Sequence, residues 1–271
     1  MKNKANQACS KGEISMGKRG KLKQAEWGAV MPAHNPLAHR PPYYYRDTEM
    51  VMVQFATDEE AVLALLPEEL ELMEPATAFM VMEQNHWTTI GGYGEVYLGI
   101  MCLWNGVPHA YVPGVYVTGE NSQILGREIW GFGKKRCSRF EIRKHDNGDV
   151  EAIMDIRPDD QALRAVMKPQ VNAGADVLAP IPLICLKVIP DVAGGTAPAL
   201  AQLTSVTFKA EPYVGVDGKA EVFAGPASIS MAVPSDINIP VLEMLGGVFA
   251  RFTADLPYGS VLKTYTAKDF D

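Results

Sequence analysis

Residues 78–117, AFMVMEQNHWTTIGGYGEVYLGIMCLWNGVPHAYVPGVYV, are the stretch that decides the fold. They are rich in β-branched and aromatic side chains, which suit the pleated, half-buried surface of a sheet. Glycines at Gly91, Gly92, Gly94, Gly99, Gly106 and Gly114 punctuate the run, as bent strands and bulges require. The reading is a curved antiparallel sheet. Upstream, Met50 to Phe55 reads as an apolar strand, and Thr57 with Glu60 makes a capping box for a short helix over Asp58 to Leu66, stopped by Pro67. Downstream, Arg139 to Ile156 alternates around Asp146-Asn147-Gly148-Asp149, where Asn-Gly is the strongest short hairpin signal. A second hairpin is expected around Asp217-Gly218. Ile181 to Ile189 and Leu203 to Lys209 read as further strands, and Asn238 to Thr253 as a late helix weakened by Gly246-Gly247. Strands do not alternate with helices, so a doubly wound parallel sheet is excluded. The expectation is an α+β chain that is mainly antiparallel β, a large curved barrel or cone-like sheet with a few short helices and an enclosed apolar cavity.

Composition bounds the rest. The chain has 271 residues, 47% of them apolar, enough for a sizeable core. A net charge of -7 and a pI near 5.3 argue against a nucleic-acid partner, which needs cations clustered across a face. Residues 1–26 read as a disordered basic tail, carrying Lys2, Lys4, Lys11, Lys18, Arg19, Lys21 and Lys23, and residues 27–271 as one domain. No stretch reaches the roughly 18 apolar residues of a membrane span. Cys9, Cys102, Cys137 and Cys185 lack both metal-ligand spacing and the density of a disulfide scaffold, which suggests a reducing cytoplasm. The histidines show no ligand spacing and no glycine run has the context of a phosphate cradle, so neither metal nor nucleotide cofactor is expected.

The segment Gly126-Arg127-Glu128-Ile129-Trp130-Gly131-Phe132-Gly133-Lys134-Lys135 places two lysines after an aromatic and glycine run. On an extended strand they point to opposite faces; a bulge permitted by Gly131 and Gly133 would bring both to one cavity. A lysine is a nucleophile only as the free amine, and its ordinary pKa of about 10.4 leaves little of that at neutral pH. Burial and a neighbouring cation both favour the neutral form. From composition alone, Lys134 to Arg136 reads more often as a solvated strand end, and Glu95 as a barrel-rim carboxylate satisfied by an arginine.

The Gly-Arg-Glu run followed by an aromatic stretch and a Lys-Lys pair resembles the signature of the acetoacetate decarboxylase superfamily. The resemblance covers about Tyr43 to Pro190, including Thr57-Asp58, Leu66-Pro67-Glu68, Glu74-Pro75, and Glu95 ten residues ahead of Asn105. It implies that Lys134 is the Schiff-base lysine, activated by desolvation or a neighbouring cation as in that family. It implies further that Lys135 perturbs it, that Glu95 faces the substrate as a carboxylate, and that Phe132 is an aromatic pocket residue. Arg46 and Tyr116 complete the expected substrate-binding set. The implied activity is that of a carbon–carbon lyase acting on a small keto acid, without cofactor and as a homo-oligomer. Decarboxylation through a lysine iminium is the first reading; a pyruvate aldolase-dehydratase using the same lysine, or a non-catalytic barrel that binds a small carboxylate, are the alternatives.

The polar half of the pocket departs from the family pattern. Asp47-Thr48-Glu49 stands where an arginine is usual, leaving Arg46 as the substitute cation. Met80 occupies the second acidic position, with Glu83 three residues on and therefore on the other face of its strand.

Overall fold

The computed structural model of the chain describes residues 18–232, 235 and 237–270. Of the expected basic tail, residues 1–17 lie outside the described residues, and Gln24–Glu26 forms a single 3-10 turn. Strands carry the fold, accompanied by two short α-helices, Glu59–Leu63 (α1) and Glu120–Leu125 (α2). Among the described residues no helix is long and apolar enough to cross a membrane.

The strand Tyr43–Ala56 is central to the larger sheet. It pairs antiparallel with Glu243–Leu256 on one side and Thr77–Thr88 on the other, and Thr77–Thr88 pairs in turn with Tyr93–Trp104. The order continues through Val107–Tyr111, Leu183–Ile189 and Leu200–Val206 to Ser260–Tyr265. A second sheet orders Ala227–Met231, Asp160–Met167, Val150–Arg157 and Arg139–Lys144, with the expected hairpin turn at Gly148, whose φ is +85°.

The two sheets explain the burial on both faces of the central strands. Val51, Val53, Phe55, Met80 and Met82 form one core with Phe140, Met154, Leu163 and Met167 of the second sheet. The alternate side chains Met50, Met52, Phe79 and Val81 belong to a second cluster on the opposite face, where the sheet curls around a cavity. Asp47 makes this possible in the first strand. At φ +55° it sits where the register against Glu243–Leu256 shifts, so that Tyr45 before it and Met50 and Met52 after it all line the same cavity.

Three sequence expectations are corrected. The large sheet is curved but not closed into a barrel: its order begins at Val171–Asn172 and ends at Ser260–Tyr265, which do not pair. Closure is not needed for burial, because the second sheet covers one face. The sheet is mainly antiparallel, as expected, with Val107–Tyr111 beside Leu183–Ile189 and Val115–Val117 beside Lys134–Arg136 as parallel pairs. The late helix is instead the strand Glu243–Leu256. Its buried positions Val248, Ala250, Phe252, Ala254 and Leu256 repeat every second residue, and that period outweighs the helical one. At α1 the cap is Asp58, whose carboxylate accepts from the Ala61 amide at 2.9 Å, while Thr57 donates to the Pro240 carbonyl.

Gly94 lets the two sheets pack closely: a Cβ there would lie 2.3 Å from the Phe140 ring. Gly94→Ala is expected to cost about 1–3 kcal/mol through overpacking. Urea unfolding should show a lower midpoint with unchanged slope, and an unchanged midpoint would contradict this packing.

Candidate active site

Lys134 begins the short strand Lys134–Arg136, held parallel to Val115–Val117. Lys134 is only 5% exposed, whereas Lys135 is exposed, so the two lysines alternate as on a regular strand. Lys135 therefore does not share the enclosed space around Lys134, and the bulge that would have joined them does not form.

The glycine and aromatic run before the lysines has a mechanical explanation. Helix α2 continues into a single π-helical turn, Gly126–Trp130, ended by Gly131 in the left-handed region at φ +87°. The amides of Gly131 and Phe132 both donate to the Gly126 carbonyl. The chain thereby doubles back and lays the Lys134 side chain across Gly126, where a Cβ would lie 2.7 Å from Cδ and 2.8 Å from Cε. Arg127 donates to the Lys134 carbonyl at 3.3 Å, Trp130 Nε1 donates to the Pro257 carbonyl at 3.0 Å, and Thr204 donates to the Trp130 carbonyl at 2.6 Å. Gly126, Arg127, Trp130, Gly131 and Phe132 thus fix the loop or the backbone that carries Lys134.

At its far end, Lys134 Nζ donates to Glu95 Oε2 at 2.5 Å and to Ser122 Oγ at 3.0 Å. The rings of Tyr93 and Phe132 each lie 5.4 Å from it, close enough for cation–π contact. Glu95 is 7% exposed, so both charges of the pair are withdrawn from water. The Tyr45 and Tyr93 hydroxyls meet at 3.1 Å beside them, and burial holds both phenols well above their ordinary range, hence neutral.

Glu95 also lines a cavity of about 460 Å³ together with Glu83, Asn85, Tyr97 and a mostly apolar wall. Lys134 lies just behind it, in an adjoining space of about 10 Å³ shared with Ser122, Phe132, Tyr45 and Phe208; the last two line both spaces. Glu83 stands directly opposite Glu95 across the strand pair. Burial, and then the Glu95 charge, push its carboxyl up to about 8, so at neutral pH it carries a proton.

Not every expected residue belongs here. Arg46 lies on the outside, donating to the Tyr45 and Ala254 carbonyls and pairing with Asp255 at 3.1 Å; it does not line the cavity. It is turned out because it shares a strand face opposite to Tyr45. Tyr116 is buried in the core shared with the second sheet, while its neighbours Val115 and Val117 face the side of Lys134. Thr48, where the family arginine was expected, is buried and donates to Asn85 Oδ1 at 2.9 Å. Met80 and Glu83 do lie on opposite faces, but Glu83 has the cavity face and Met80 the core. Both faces of this strand are apolar, so periodicity could not tell which is which.

Ser122 and Tyr93 carry no sequence signal as site residues. Ser122 sits twelve residues before Lys134 in a helix too short for periodicity to announce. The three described cysteines are buried thiols, and burial pushes Cys137 up to about 12.

A mixed, curled sheet enclosing a lysine on a glutamate defines a known class of fold. The structure superposes with TM-score 0.76 on acetoacetate decarboxylase from Legionella pneumophila, at 22% identity and covering 92% of this chain and 99% of that one. The enduracididine biosynthesis enzyme MppR complexed with pyruvate gives 0.72, at 17% identity and covering 88% and 98%. Residues 30–266 match the family model for acetoacetate decarboxylase. An acetoacetate decarboxylase of Burkholderia vietnamiensis is 32% identical over 88% of this chain and 96% of its own length. The chain belongs to the acetoacetate decarboxylase family, a family of carbon–carbon lyases.

The Glu83 carboxyl gives a stability test with a definite sign. A carboxyl whose folded pKa lies above its unfolded value of 4.5 favours the folded state at low pH, and that contribution is lost as the pH rises through about 8. Glu83→Gln should flatten this fall by on the order of 2–4 kcal/mol between about pH 5 and about pH 9. Urea midpoints of both proteins at the two pH values measure it; parallel pH profiles would contradict a buried, protonated Glu83.

Proposed function

We propose that this chain is a Schiff-base lyase that decarboxylates a 3-oxo acid through Lys134. The observation that carries the reading is the buried contact of 2.5 Å between Lys134 Nζ and Glu95, beside a cavity large enough for a substrate. In a site of low dielectric, an ammonium and a carboxylate at this distance can exchange their proton and become a neutral amine and a neutral acid. Glu95 thus takes the proton whose loss makes Lys134 a nucleophile.

The amine adds to the C3 carbonyl, and Glu95 returns the proton to the carbinolamine oxygen as water leaves. In the resulting iminium, the C1–C2 bond breaks, its electrons pass to the iminium nitrogen, and carbon dioxide departs. The enamine is protonated at C2, water hydrolyses the new iminium, and a ketone is released. One proton and one 3-oxo carboxylate give one ketone and one carbon dioxide. The small space around Nζ requires Glu95 or Phe208 to give way as the carbonyl approaches.

The substrate carboxylate meets neutral donors: the protonated Glu83 and the amide of Asn85, whose oxygen is already held by Thr48. A carboxylate removed from water without a cation is raised in energy relative to neutral carbon dioxide, which favours its loss. The departure from the family pattern at Thr48 and Met80 supports a second reading, in which pyruvate forms an enamine on Lys134 and adds to an aldehyde before dehydration. Lys135 and Arg46 take no direct part in either reading. Three further readings accompany the proposal: the domain over residues 27–271, which rests on the composition of the leader, a cytoplasmic location, which rests on cysteine usage, and a homo-oligomer, which rests on the family resemblance.

Incubation with acetoacetate should release carbon dioxide and acetone, whereas an enone formed from pyruvate and an aldehyde, with no carbon dioxide, would transfer the reading to the aldolase. Lys134→Arg should lower kcat by at least about 10³-fold with the fold intact, since arginine stays protonated. Retained turnover would overturn the assignment.

A further inference from the structure

The cavity is much longer than a four-carbon acid needs: its two carboxyls stand at one end, and beyond them the lining is mostly apolar, with Gln54 and Thr77 as polar groups at the far end. Three strands build its wall in register: Met50, Glu83 and Glu95 stand side by side, then Met52, Val81 and Tyr97, then Gln54, Phe79 and Gly99. Same-face neighbours along a strand are two residues apart, so the wall extends about 13 Å beyond the glutamates. Over this length Met52, Val81, Tyr97 and Phe79 supply a largely apolar lining. At about 30 Å³ per water-sized group, a cavity of about 460 Å³ holds roughly fifteen non-hydrogen groups, and acetoacetate would leave most of it empty.

Gly99 contributes to that space. The Phe79 ring lies flat against it, with Cζ only 2.2 Å from where a Cβ would stand. Any side chain at residue 99 would push the ring out into the cavity. Met52 and Met101, unbranched and flexible, suit a wall that accommodates a chain rather than one fixed shape.

We infer that the preferred substrate is a 3-oxo acid with an unbranched apolar tail several carbons longer than that of acetoacetate, its tail lying along the Met52, Val81 and Phe79 wall. The inference rests on the Schiff-base reading for its chemistry and on the cavity alone for its tail. The covalent steps are those above, and the product is a methyl ketone carrying the same tail. Each methylene moved from water into an apolar wall is worth about fourfold in binding.

The test compares kcat/KM for acetoacetate, 3-oxohexanoate and 3-oxooctanoate, with carbon dioxide release as readout. The ratio of 3-oxooctanoate to acetoacetate should be at least about tenfold in the unmodified protein and should collapse in Val81→Phe, which fills the middle of the wall. A flat or falling series would overturn the inference. Binding of 2-butanone, 2-heptanone and 2-nonanone by calorimetry reads the tail site without any chemistry. If no 3-oxo acid is decarboxylated, the lyase reading fails. Affinity rising with ketone length, and lost in Val81→Phe, would still support the tail site, and affinity independent of length would overturn it.

Discussion

Lys134 and Glu95 form an ion pair that neither partner could leave without cost. Taking one charge away strands the other in a buried site, an effect of about 3–5 kcal/mol where such pairs have been broken. The surrounding structure is arranged to hold both ends of the pair at once. Glu95 comes from the continuous sheet Thr77–Thr88 with Tyr93–Trp104, and Lys134 from a separate short strand reached through α2 and the π-helical turn. Gly126 gives the lysine its passage, Arg127 fixes its carbonyl, and Ser122 with two aromatic rings fills the remaining sides of its amine.

The same pair divides the molecule's interior. On one side the two sheets share a dry core of methionine, leucine and phenylalanine; on the other the large sheet curls around a cavity whose polar end holds two facing glutamates. Their proximity is itself informative. Two carboxyls side by side in a buried site do not both ionise at neutral pH, and here the one without a lysine, Glu83, keeps its proton. The division leaves Glu95 to exchange a proton with Lys134 and leaves Glu83 as a donor.

Much of this was legible in the sequence because it rests on residue types with few other uses. Gly126 to Lys135 combines glycines, aromatics and adjacent lysines in an order that a solvated strand does not need, and Gly126, Arg127, Trp130, Gly131 and Phe132 act on Lys134 through the backbone or by contact. The strands from Ala78 to Val117 announced themselves by composition. What failed depended on three-dimensional choices that local patterns leave open. Asn238 to Thr253 carries a two-residue period that its glycines obscured, and the sheet stays open because a second sheet, built from distant segments, covers its face. Arg46 is one residue out of phase with the cavity, beside a bulge at Asp47 that no residue type foretold. Ser122 and the facing of Glu83 follow from how α2 and the Thr77–Thr88 strand dock, which spacing alone does not encode.

The account stands or falls on Lys134 as the amine that joins the substrate. Borohydride reduction in the presence of acetoacetate, followed by peptide mass mapping, tests it directly. The account predicts one reduced adduct, on Lys134, lost when Glu95 is replaced by glutamine; an adduct on Lys135, or none on either lysine, would contradict it.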